Sequence, residues 1–279
     1  MAKVQVALVG GNQVMKRSYS AFGRAFAQAL LLAGGSLVLA VGTVESGWAQ
    51  EKPTATVSNT IAQKIDPTEF SQALDQEVKS NLFLSAISEH FPEVWSKFRL
   101  DLIEQVKAGK SHSEIQELSH NFGKKFMLDN VQYMSKAPDS ALTDIVKLET
   151  LFIIKLSSSN VQLCADHTMS GLRPDVSLSP DLVSITEQVA RARVIAIRKS
   201  MDKPVTRGAM TEDEWVEIFK LMIQLGLPVE ILENAAGLQT AKPEVQCTWG
   251  VHLYQAMMAA PPELGNKAYA ELITAAIQK

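Results

Sequence analysis

The sequence predicts an all-α protein, a multi-helix bundle or helical array, on three observations. Apolar residues recur at helical spacing through most of the chain, helix-start signals repeat, and no run alternates in β-branched residues between tight-turn pairs. The first start signal is Asp66-Pro67-Thr68-Glu69, which sets a capping Asp before a Pro at the first helical position. Phe70, Leu74, Val78, Leu82 and Ile87 follow as one stripe. Pro92 opens a second helix carrying Trp95, Phe98, Leu102, Ile103 and Val106, closed by Gly109. Ser111 and Glu114 form a capping box for a third, with Ile115, Leu118, Phe122, Phe126 and Met134. Pro138 starts a fourth through Leu142, Ile145, Leu148 and Phe152, which Ser157-Ser158-Ser159 is expected to break.

Beyond a loop from Gly171 to Pro180 the pattern resumes. Ser179-Pro180-Asp181 starts a helix reaching about Met201, and Thr211 with Glu214 boxes the next, carrying Trp215, Ile218, Met222 and Leu225 before Gly226. A short helix is expected over Pro228–Ala236, and Pro243 and Pro262 open the last two. The two halves share a pattern: Trp95 precedes Ala137-Pro138 as Trp215 precedes Ala260-Pro261, with Gln132-x-Met134 and Gln255-x-Met257 upstream of each Pro. This fits two duplicated four-helix units, but two unrelated helical stretches are the simpler reading, since such residues are common in helices.

The front of the chain reads differently. Met15-Lys16-Arg17, the apolar run from Ala29 to Val41 and small residues at Gly47 and Ala49 have the order of a secretory signal peptide, cleaved after Ala49. An uncleaved membrane anchor is the competing reading. Translation from Met15 explains residues 1–14 better than the weak Gly10-Gly11 likeness to a nucleotide-binding strand. The expected division is therefore a signal over 1–49, a linker over 50–65, an N-terminal helical unit over 66–170 and a C-terminal one over 171–279. The expected location is periplasmic or secreted.

Loss of residues 1–49 takes away four basic side chains and one acidic, moving the net charge from −3 to −6. Such a surface argues against nucleic acid, which needs Lys and Arg to neutralise phosphate. No segment after the signal is long and apolar enough for a stable membrane span.

Cys164 and Cys247 are the two cysteines, and an even pair in an exported chain is most simply one disulfide. Cys164-x-x-His167 and Cys247-x4-His252 raise zinc as a competitor, but a spacing of five turns His252 about 140° from Cys247, so no metal is expected. The Cys-x-x-Cys-His of a c-type haem is missing, and no cofactor is expected.

Asp166 and His167 beside Cys164 are the best catalytic candidates, although neighbours on a helix point about 100° apart. Arg191, Arg193, Arg198 and Lys199 concentrate positive charge. They form either a contact for an anionic partner or a solvated face. Glu212, Asp213 and Glu214 fit a helix first turn. The expected function is non-catalytic binding of a protein or envelope partner. The alternative is a periplasmic hydrolase or thiol/redox enzyme built on the Cys164, Asp166 and His167 region.

Overall fold

In a computed structural model, residues 66–173 and 176–277 are described. They form eleven α-helices and one 3₁₀ turn, and no strand occurs among them. The signal and linker expected over residues 1–65 lie outside the described residues.

The helices run in chain order as α1 (Pro67–Ser80), α2 (Leu82–His90), α3 (Pro92–Lys107), α4 (His112–Met134), α5 (Asp139–Ser159), α6 (Val161–Met169) and α7 (Pro180–Asp202). Then come α8 (Glu212–Gln224), α9 (Val229–Glu233), the 3₁₀ turn Ala235–Thr240, α10 (Pro243–Ala259) and α11 (Pro262–Ile277).

The start signals behave as their chemistry demands. Asp66 accepts from the backbone N–H of Thr68 and Glu69, and the Ser111/Glu114 and Thr211/Glu214 boxes are both closed. The stops differ from expectation in three places. The stripe from Phe70 to Ile87 is two helices rather than one. Asn81 stands in an extended conformation, ends α1 and caps α2 by accepting from Leu84 N–H. The serines at 157–159 do not break α5. Each donates its hydroxyl back to a carbonyl one turn earlier, and the helix ends only at Asn160, which caps α6. The segment Pro228–Ala236 is a single α-turn followed by the 3₁₀ turn.

α5 and α7 are the central pair. α7 also packs against α2 and α4, while α5 packs against α6, α10 and α11. Most of the apolar interior is one cluster running from Phe83 and Ile87 through Leu142 and Ile197 to Trp249 and Ile273, so it draws on both sides of residue 170. Two smaller clusters flank it. One joins Leu74, Phe98, Leu102, Val106 and Ile115 in α1, α3 and α4. The other gathers Phe152, Ile153 and Leu156 with Cys164, Ala165, Leu172 and Cys247, closed by Leu182, Ile185 and Val189 of α7.

Polar groups fix the relative positions of helices. Arg207 donates to the carbonyls of Ser135 and Ala137 and to the Asp139 carboxylate, tying down the turn from α4 to α5. Asn266 of α11 is 3 % exposed, and its amide donates to the Asp139 carbonyl and the Thr143 hydroxyl of α5. Thr150 donates to the carbonyls of Val146 and Tyr254, joining α5 to α10. Among the described residues no helix is long and apolar enough to cross a membrane.

Candidate functional site

The chemistry-bearing side chains converge where α5, α6, α7 and α10 meet. Cys164 of α6 and Cys247 of α10 are both buried, with their sulfurs at disulfide distance, 2.03 Å, and their Cα atoms 5.1 Å apart. That approach depends on Gly250, one turn beyond Cys247. A Cβ there would stand 2.1 Å from the Thr168 hydroxyl and 2.8 Å from Ile153, so only glycine lets α10 lie so close to α6 and α5.

One turn beyond Cys164, His167 faces α5. Its ring stands edge-on to Phe152 at 5.1 Å and nearly parallel to Tyr254 at 6.4 Å. Its Nε2 is buried without a well-formed hydrogen bond and faces Glu149 Oε2 at 3.5 Å. The other oxygen of Glu149 accepts from Arg193 Nη2 of α7. Glu149 is 1 % exposed and Arg193 9 %. An α5 carboxylate thus lies between an α7 guanidinium and an α6 imidazole. Tyr254 of α10 and Tyr269 of α11 complete the surroundings.

Burial alone would raise the Glu149 carboxyl, but Arg193 and His167 outweigh it and hold it at about 2. Burial works against the Arg193 charge as well, and Glu149 beside it reverses the effect and raises its pKa. Burial, reinforced by the Glu149 charge, pushes both tyrosine hydroxyls up. Glu149 is therefore an anion locked to its partner. It is a poor proton acceptor near neutrality, because its conjugate acid is too strong.

The other candidates are placed as follows. Asp166 does not pair with His167. It accepts from Gln162 on its own helix, while the acid facing His167 is Glu149. Two adjacent residues of one helix cannot converge, whereas residues on facing helices can.

The basic concentration is divided. Arg193 turns inward, correcting its expected place on the exposed face. Arg198 is held by Asp202 one turn on, and Arg191 and Lys199 are exposed. Glu214 closes its capping box and receives Lys267. His252 bonds the Thr248 carbonyl of its own helix. Among the described residues no group of three or more His, Cys, Asp and Glu side chains is placed to hold a metal ion.

Sequence reasoning missed Glu149, yet a signal for it exists. It occupies a core position on the Leu142–Ile145–Phe152–Leu156 stripe, as Arg193 does between Val189 and Ile197. Opposite charges at core positions of two helices invite pairing, because a buried charge without a partner is costly.

Comparison with protein-family models, curated proteins and solved structures returns no match for this chain.

Proposed function

We propose that this is an exported helical protein that acts by binding a protein or another component of the cell envelope, without chemistry of its own. The observation carrying the reading is the buried Cys164–Cys247 pair at disulfide distance, in a chain whose first 49 residues have the pattern of an export signal. Disulfides persist in oxidising compartments and are rare where thioredoxin and glutathione hold thiols reduced. The non-catalytic part is supported by how the reactive groups are engaged. Bonded sulfurs supply no thiolate, Glu149 is committed to Arg193, and Asp166 is bonded to Gln162.

The test is made on protein recovered from an envelope fraction. N-terminal sequencing is expected to begin near Gln50, and thiol titration under denaturing, non-reducing conditions to find no free sulfhydryl. Two titratable thiols of low pKa would overturn the structural role of the sulfurs and bring the thiol-enzyme reading forward. Intact chain retained in the inner membrane would replace export with tethering. Cross-linking of the oxidised mature form in envelope extract, repeated with excess unlabelled protein as competitor, then asks for a saturable partner.

A further inference from the structure

We propose that α6, with its continuation to Leu172, is a disulfide-clasped cover over the Glu149 side of the Glu149–Arg193 pair, and that a dithiol reductant releases it while the rest of the bundle stays folded. The proposal stands on how α6 is attached. It rests on α5 and α10. Its two buried side chains, Cys164 and Ala165, belong to the small cluster around Phe152, Ile153 and Leu156. Met169, half-buried, is the residue of α6 that reaches the main core. Asn160 interrupts the chain on one side. On the other the helix ends just before Gly171, whose φ of 77° is a left-handed conformation suited to glycine. A segment bounded by two breaks and packed on its own small cluster is the kind of unit that opens separately from its protein.

Cutting the sulfur bond changes the balance for this segment more than for any other. A nine-residue helix has little stability alone. Beneath it lies the Glu149 carboxylate, whose burial costs hydration, and His167 Nε2 of α6 itself is buried without a hydrogen-bond partner. Water entering as α6 lifts would reach both groups. Holding the segment down are its packing along α10, the most extensive helix pairing among the described residues, the small apolar cluster, the attraction of His167 for Glu149 and the bond itself.

The reaction is ordinary exchange. One thiolate of the reductant attacks a cysteine sulfur and expels the other as a thiolate. The second thiolate then closes the reductant's own disulfide and expels the first cysteine. Two electrons reach Cys164 and Cys247, and each takes up a proton to leave a thiol. Since both sulfurs are buried, the exchange is slow in the folded chain, so the reduced state is best examined after prolonged equilibration.

Hydrogen exchange of the full chain, oxidised and after equilibration with dithiothreitol, tests the idea without regard to where the protein resides. Peptides from 160–172 are expected to exchange about tenfold faster on reduction, while those from α4 and α8 change by less than about twofold. The Cys164→Ala/Cys247→Ala chain should reproduce the pattern with no reductant. In Glu149→Leu/Arg193→Met, where no ion pair is left to hydrate, the reduction-dependent increase should shrink to about twofold. Unchanged protection over 160–172, or equal loss across all helices, overturns the proposal. An undiminished increase in the ion-pair variant overturns hydration of the pair as its cause.

Discussion

Two arginine–carboxylate pairs in this protein have the same chemistry and opposite surroundings. At the outer end, Arg99 of α3 meets Asp75 of α1 with two parallel surface bonds of 3.0 Å, and a third, half-buried, goes to Ser71. At the centre, Arg193 meets Glu149 with both side chains almost out of water. The surface pair has the better fork geometry, yet it gains little, since water screens it and two side chains must be held still. In the central pair the attraction between the charges outweighs the cost of taking them out of water, since Glu149 stays ionised well below the usual carboxylate range. Neither partner can be removed cheaply. The difference teaches that geometry alone does not rank ion pairs. What ranks them is the state in which a deletion leaves the survivor.

The sharpest way to break the comparison is Glu149→Ala. It strands the Arg193 charge and is expected to lower unfolding free energy by ~3–5 kcal/mol in urea denaturation, while Glu149→Leu/Arg193→Met recovers most of the loss. The pH dependence of the native protein should agree. Glu149 titrates at about 2 when folded against 4.5 as its ordinary value, a depressed carboxyl. Its contribution is therefore complete above about 4.5 and fades as pH falls from there towards 2, read as a steepening of acid unfolding that the double variant lacks.

Next comes the bond beside it. Cys164→Ser should cost ~2–4 kcal/mol, read by thermal melts and by faster proteolysis, because the bond closes a loop with a sequence separation of 83. A melting temperature equal to the wild type would show that the two sulfurs contribute nothing.

At the surface, Asp75→Asn should change stability by less than ~1 kcal/mol, and added salt should reduce the difference. A loss as large as that of Glu149→Ala would end the contrast. The smallest effect is expected from Glu187→Gln. Burial and the nearby charge of Glu77 raise the Glu187 carboxyl, so its ionised form is disfavoured in the folded chain. The penalty is absent below its ordinary pKa and complete above its raised one. The variant should melt slightly higher at neutral pH and no higher in acid.

How much of this was legible beforehand depends on the range of the interaction involved. Helix starts are local chemistry, and Asp66, Ser111 and Thr211 announced themselves through residues three positions away. Stops were less legible. Asn81 and Asn160 resemble ordinary polar residues until the chain is seen to turn there, and three serines that looked like a break were accommodated by their own turn of helix. Cys164 and Cys247 could be paired because there were only two. Glu149 and Arg193 could not, because sequence does not say that α5 lies against α7. Asp166 drew attention through adjacency to His167, which on a helix is a reason against contact.

Asn266 carries a last consequence, concerning alignment rather than strength. Its carboxamide is satisfied by two groups at the start of α5, the Asp139 carbonyl and the Thr143 hydroxyl. The aliphatic contacts along α5 and α11 would tolerate a slide of one residue, about 1.5 Å along the axis, far better than this amide would. Asn266 therefore acts as an index pin. It selects one longitudinal setting of the C-terminal helix from several that greasy surfaces alone would leave nearly equivalent, as a single buried asparagine does in a coiled coil.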